Sequence, residues 1–291
     1  MREVSIIVTT FERPESLAFC LRSIRRFYPG VEVIVMNNGH LSETVEEAAL
    51  ENSAHLVNIP FDSGVSKSRN TGIEFSKKKY TVCCDDDYEF TEMTRLEKFK
   101  AVLERDEAVG LVAGDVMSAE VSGPRVSRLV VNEKLKFFYL IPLKSPEMRE
   151  AGGVGYYYAD HVPQFFMMRN VPELRWDEDL KCQYEHIEFS LRVKLEKKWK
   201  IAFTSEVSAL HVRARPSGVY QKFRTRQDDW ERFYRKTGYV DNISGAEKPE
   251  YDSKGRKLLP FPEYVFFLMK NKNLADAERQ IQQPERGGQN G

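Results

Sequence analysis

At 291 residues, with 44 basic and 44 acidic side chains and 41% hydrophobic residues, the chain can hold one large domain or two small ones. Balanced charge gives no global field to recruit nucleic acid or an acidic membrane, and no stretch approaches the ~20 apolar residues of a membrane span. Arg2 and Glu3 precede only a strand-length apolar run, so no secretory leader is expected and the chain reads as cytoplasmic; the four cysteines lack zinc spacing and read as reduced thiols.

Val4 to Thr9 is rich in β-branched residues and predicts a strand, followed by Pro14, which suits the first turn of a helix. Leu17, Leu21, Ile24 and Tyr28 keep helical spacing until Pro29-Gly30. Val31 to Met36 is a second predicted strand, closed by Asn37-Asn38-Gly39. A helix around Glu43 to Glu51, a strand at His55 to Ile59, a loop entering a helix at Gly64 to Lys77 and a strand at Tyr80 to Cys84 follow. This alternation with short links predicts right-handed βαβ units on a mostly parallel sheet, an α/β fold.

Beyond it come a helix near Thr94 to Glu104, a strand at Val109 to Ala113 and a less regular β region from Ser122 to Leu140. Ala151 to Gly155 reads as a flexible loop, Gln164 to Met168 as a strand and Leu180 to Lys198 as an amphipathic segment. Two short strands, Lys200 to Phe203 and Val207 to Val212, precede a basic-aromatic helix from about Val219 to Tyr234. The expected division is a nucleotide-binding half over 1–117, an acceptor-binding half over 118–245, and an extension over 246–291 whose polar, glycine-rich end predicts disorder.

The predicted strand Tyr80 to Cys84 stops at three consecutive carboxylates, Asp85, Asp86 and Asp87. Ligands of open α/β sheets gather just beyond the carboxyl ends of the strands. Carboxylates packed this closely repel one another unless a positive group sits among them. A hard divalent cation is the simplest neutraliser; a solvated acidic turn is the alternative.

Four features in order resemble the inverting glycosyltransferases of the GT-A fold, in particular the large family 2. They are Thr9-Thr10-Phe11-Glu12-Arg13 at the end of the first strand, Asn37-Asn38-Gly39, the run from Gly64 through Arg69-Asn70 to Gly72, and Asp85-Asp86-Asp87 at the position of the family's Asp-x-Asp. Further on, Trp176 to Leu180 followed by Glu185-His186-Ile187-Glu188 resembles the acceptor-side acidic motif, and Glu-His at this place is similar to the β-1,4-N-acetylgalactosaminyltransferase branch.

The resemblance implies a GT-A architecture, a Rossmann-like half joined to a mixed α/β half, and a UDP-sugar donor whose sugar passes to a glycan-type acceptor hydroxyl with inversion. It implies a metal, Mn²⁺ or Mg²⁺, at Asp87 and His211 with Asp85 beside them; an imidazole ligand suits Mn²⁺ better. Thr9, Phe11, Arg13, Asn37 and Arg69 fall on the nucleotide side with Asp85 and Asp86, Asn37 offering the amide edge uracil requires. Gly153 is expected to approach the donor sugar, and Arg213 and Arg215 its diphosphate. Glu185 is the expected base with His186 positioning the acceptor; the reverse assignment stays open, because the residue that serves as base in related sequences is here His186. Glu188 is expected to pair with Arg192.

Other readings give different partners. A nucleotidyltransferase would share the nucleotide-binding half, but Thr9 to Pro14 holds no glycine for a phosphate loop. A glycosyltransferase with nucleic acid as its acceptor would suit the segment Arg213 to Lys236, where Tyr220, Phe223, Trp230, Phe233 and Tyr234 stand amid Arg and Lys, against which stands a helix packed by its aromatic face. A sugar-nucleotide-binding protein without catalysis is the non-enzyme alternative.

Overall fold

The computed structural model describes residues 1–118, 126–133, 136–212, 218–224 and 228–241. The 246–291 extension, Arg213 and Arg215 lie outside them.

The first half alternates as the apolar periodicity requires: β1 (Val4–Thr10), α1 (Pro14–Phe27), β2 (Glu32–Asn37), α2 (Glu43–Glu51), β3 (His55–Asn58), α3 (Val65–Ser76) and β4 (Tyr80–Asp85). The short β5 (Tyr88–Glu89), α4 (Leu96–Arg105) and β6 (Val109–Met117) follow. Next come β7 (Ser127–Asn132), β8 (Phe137–Pro142), β9 (Arg149–Ala151), β10 (Val154–Ala159), β11 (Phe166–Arg169) and α5 (Glu185–Glu196). The described chain closes with β12 (Lys200–His211), α6 (Gly218–Arg224), α7 (Asp228–Thr237) and β13 (Val240–Asp241).

One sheet runs β3-β2-β1-β4-β11-β6-β12-β10-β9, with β5 on β12; β13-β8-β7 form a second. Strands β3, β2, β1 and β4 are parallel. Strands β1, β2 and β4 are buried on both faces, as between two helix layers, while the edge strand β3 is part-exposed: Ile6, Val8 and Val82 pack in one cluster with α1 and α4, Ile7, Ile34 and Cys83 in another with α3 and α5. Gly72 of α3 makes this approach possible, because a Cβ there would lie 2.7 Å from Ile7.

Three expectations change. Strand β11 inserts antiparallel between β4 and β6, a reversal that periodicity alone does not carry. The two predicted strands at 200–212 are one strand, β12, whose pairing with β6 is interrupted by an irregularity between Phe203 and Ser208. The glycine loop at 151–155 is a hairpin turn between β9 and β10, with Gly152 and Gly153 both at positive φ. Because β9 to β12 join the same sheet as β1 to β4, the two expected halves share one continuous sheet.

Candidate active site

The ends of β1 and β4 set the site. Their register pairs Thr9 with Asp85, so both loops leave the sheet side by side. Thr9 Oγ1 donates to Asp85 Oδ1 (3.2 Å) and Thr10 Oγ1 to Asp86 Oδ2 (2.7 Å). Asp86, fully buried, receives the Arg13 guanidinium, which also donates to Asp87 Oδ2 (2.6 Å). Burial pushes the Asp86 carboxyl up to about 7 against the pull of Arg13. Burial also opposes the Arg13 charge, but Asp86 and Asp87 outweigh it and hold that pKa above its usual value. The acidic triplet is thus not a solvated turn. Arg13 is its internal counter-ion.

His211, near the end of β12, pairs with Tyr88 of β5, and this brings its Nε2 to 3.3 Å from Asp87 Oδ2. Burial raises the Asp87 pKa, yet the hydrogen bond with His211 and the Arg13 charge win and keep it below the ordinary carboxylate range. A carboxylate oxygen and an imidazole nitrogen at one point are a donor pair that fits a borderline divalent ion, with Asp85 at the same strand end. Among the described residues no group of three or more His, Cys, Asp or Glu side chains converges as a complete metal site.

Thr9, Phe11, Arg13 and Asp85 line one cavity of about 80 Å³, together with Tyr220 and Phe223. Tyr220, Phe223 and Arg224 bring helix α6 into this lining. The Arg13 guanidinium sits 4.5 Å from the Tyr220 ring centroid, and Phe223 lies edge-on to Phe11 and Phe61 at 5.6 and 5.3 Å. Asn37 is absent from this lining: its amide donates to Asn58 Oδ1 (2.9 Å) and its Oδ1 accepts from Gly39 N. The neighbouring Asn38 lines the cavity instead. Gly153 lies elsewhere, in the β9–β10 turn, lining a different cavity with Arg105, Asp106 and Arg149.

Arg69 connects this cleft to the motif at α5. It is 1% exposed, on the inner face of α3, with its guanidinium 5.3 Å from the Trp176 ring. It donates to Gln164 Oε1 (3.1 Å) and Asp85 Oδ1 (3.3 Å). Glu185, 3% exposed at the start of α5, is the next carboxylate to feel its charge. Burial raises the Glu185 pKa, but His186 and Arg69 more than offset it, leaving the carboxyl below its usual value. Glu185 Oε1 accepts from His186 Nδ1 (2.6 Å), whereas Oε2 is buried with no hydrogen-bond partner. The His186 side chain remains 34% exposed.

His161 was not apparent from the sequence. Its ring stacks on His186 at 5.8 Å, and its Nδ1 lies 3.2 Å from Ser190 Oγ. Burial pushes its pKa down to about 3, so it stays a neutral plate behind His186. A lone histidine between two strands carries no spacing signal that would have found it. Glu188 pairs with Arg192 (3.0 Å), as expected.

The helix predicted over 219–234 is two helices among the described residues, α6 and α7, and of its aromatic residues Phe233 and Tyr234 are buried. Phe233 meets Phe138 and Tyr184 at 5.9 and 5.3 Å, and Trp230 stacks on Tyr234. The α7 cations are self-neutralised, Arg232 by Asp228 and Arg235 by Glu231, while Lys236 reaches Asp177. Packing thus accounts for Phe233 and Tyr234 of α7, while Tyr220 and Phe223 of α6 line the cavity.

Over 120 residues the chain is 37% identical to the rat β-1,4 N-acetylgalactosaminyltransferase 1 and 38% to the human protein, covering 41% of this chain and 21% of theirs. The mouse β-1,4 N-acetylgalactosaminyltransferase 2 is 31% identical over 133 residues, or 46% of this chain and 24% of that one. The chain therefore spans about a fifth of the length of the curated relatives it matches. Among solved structures, Staphylococcus aureus TarS 1–349 in complex with UDP-GlcNAc superposes with a TM-score of 0.55 at 14% identity, covering 79% of this chain and 64% of that one. A mycobacterial protein superposes at 0.52, with 15% identity over 86% of this chain and 81% of the other. Both show the fold. The model of glycosyl transferase family 2 matches residues 5–162, more than half of the 291, and with it the GT-A architecture and the ordered motifs reach one conclusion: the chain belongs to glycosyl transferase family 2.

Proposed function

We propose that the chain transfers a sugar from a UDP-sugar to a hydroxyl of a glycan-type acceptor, with inversion at the anomeric carbon. The observation that carries the reading is Arg69. One buried guanidinium touches Asp85 on the nucleotide side and, after His186, helps hold down the pKa of Glu185 on the acceptor side, which supports one reaction centre shared by both motifs. The UDP-GlcNAc bound by TarS and the N-acetylgalactosaminyltransferase names of the relatives support this class of donor.

Asp87 and His211 would hold a divalent cation, and Mn²⁺ suits their oxygen and nitrogen donors. When bound, the ion supplies Lewis-acid neutralisation of the leaving diphosphate. The chain's own residues do the rest. Thr9 and Phe11 line the nucleotide cleft, with Asn38 in the role first expected of Asn37. A cavity of about 80 Å³ is well below the ~300–1,000 Å³ of ligand pockets, so the donor enters by displacing α6 with Tyr220 and Phe223.

On the acceptor side, the pairing favours His186 as general base, reversing the first expectation. The buried Glu185 accepts a hydrogen bond from His186 Nδ1, and the tautomer this favours leaves Nε2 of the part-exposed ring with its lone pair free. His186 then accepts the acceptor's hydroxyl proton, and the imidazolium formed is stabilised by Glu185. Oxygen attack opposite the leaving group converts an α-linked donor into a β-glycoside.

A thermal-shift series with UDP, GDP and ADP, each with and without Mn²⁺, tests the donor assignment, since ligands that bind the native state raise its apparent stability. UDP with Mn²⁺ should give the largest shift. A larger shift with GDP would reject the uridine assignment.

A further inference from the structure

Helix α5 carries a second polar stretch. His186, Ser190 and Lys194 recur at intervals of four, so they share one face, and Lys197 caps the helix just beyond them. The far end of this face forms one wall of a cavity of about 380 Å³, within the size range of ligand sites. Its other walls come from β7, β10 and the start of β12, and bring in Arg128, Tyr158, Trp199 and Lys200.

The charge here is one-sided. Asp160 is the only carboxylate in the lining, and Lys194 Nζ (2.9 Å) and the Leu129 backbone N–H (2.8 Å) already neutralise it. Arg128, Lys197 and Lys200 have no carboxylate partner among the described residues. A merely solvated face would resemble α7, where each arginine has its acid one turn away. One aromatic side chain, Trp199, stands beside the cations. Its indole N–H is buried without a hydrogen-bond partner. Cations next to an aromatic side chain suit a sugar chain that carries an anionic group, the ring taking a C–H face and the cations the charge.

The cavity continues the acceptor side. Ser190 in its wall lies against His161, and His161 stacks on His186. Lys194 and Lys197 follow His186 by eight and eleven residues, about 12–16 Å along the helix axis at 1.5 Å per residue. We propose that this cavity is an acceptor subsite that holds a sulfate, phosphate or carboxylate group borne by an extended glycan, several ångströms beyond the hydroxyl that is glycosylated. The proposal rests on the reading of Glu185 and His186 as the acceptor side.

The test is an NMR titration of the full chain that follows its three Trp indole N–H signals, with lactose, lactose 3′-sulfate, inorganic phosphate and a single-stranded oligonucleotide as probes. Lactose 3′-sulfate should move the Trp199 signal and leave Trp176 and Trp230 in place, and lactose should move it far less. The double variant Lys197→Glu/Lys200→Glu should weaken that binding about tenfold, because exposed charge contacts contribute modestly and add up, while UDP affinity by calorimetry is unchanged. If UDP does not bind but the sulfated sugar still moves Trp199, the donor reading fails and the anionic-glycan subsite stands. An unmoved Trp199 signal, equal binding by the double variant, an equal shift from inorganic phosphate, or tighter binding of the oligonucleotide would each overturn the proposal.

Discussion

Replacing Arg69 by Met separates charge from packing. Met keeps a long apolar side chain under Trp176 and Phe166, whose ring centroids lie 5.3 and 5.9 Å from the guanidinium. What is lost is one charge-assisted hydrogen bond to Asp85 and one donor to Gln164. Bonds to charged groups contribute ~1.5–3 kcal/mol each; Asp85, 29% exposed in its side chain, recovers part of the loss from water. The net cost is about 2–3 kcal/mol, or roughly 4–12 °C in Tm for a domain of this size. The Glu185 carboxyl also loses a cation that holds its pKa down, and should titrate higher. Thermal unfolding by circular dichroism, together with calorimetric titration of UDP, reads both consequences. An Arg69→Met protein with unchanged Tm and unchanged UDP affinity would refute Arg69 as the link between the two sides of the site.

Other predictions follow from neighbouring groups. Asp87→Ala should reduce sugar transfer to background in a protein with a native circular dichroism spectrum, and EDTA should do the same to the wild type; full activity in either would remove the metal from the account. His161 faces His186, Glu185 and Ser190, and its pKa falls from 6.5 to about 3 on folding. Its stabilising contribution is therefore complete above pH ~6.5 and is lost as the pH falls, because only the unfolded chain then takes up the proton. His161→Phe should flatten this slope, retaining about 1–2 kcal/mol more of its neutral-pH stability at pH 5 than the wild type does; parallel urea denaturation curves for both proteins from pH 5 to 8 would contradict it.

Strands β1, β2 and β4 were legible because parallel strands buried on both faces read as continuous apolar runs, and α2 falls at the residues its periodicity gives, Glu43–Glu51. The acidic triplet was legible as a site for the same reason, since it ends such a run. Arg13 was less so: its pairing with Asp86 and Asp87 spans more than seventy residues, and only the β1–β4 register brings them together. Asn37 and Asn38 could not be separated by type, and one step along the chain decided which of them lines the cavity. The roles proposed for Glu185 and His186 rest on which of them is buried, a property of how α5 docks rather than of the dipeptide. His161 needed the three-dimensional stack to be visible at all.

The most direct test of the account is the rate of sugar transfer from a UDP-sugar by His186→Ala, measured beside calorimetric UDP affinity. Loss of a general base costs ~10²–10⁴-fold in rate. The account predicts a fall of that size with UDP affinity unchanged. A His186→Ala enzyme that transfers at the wild-type rate would contradict it.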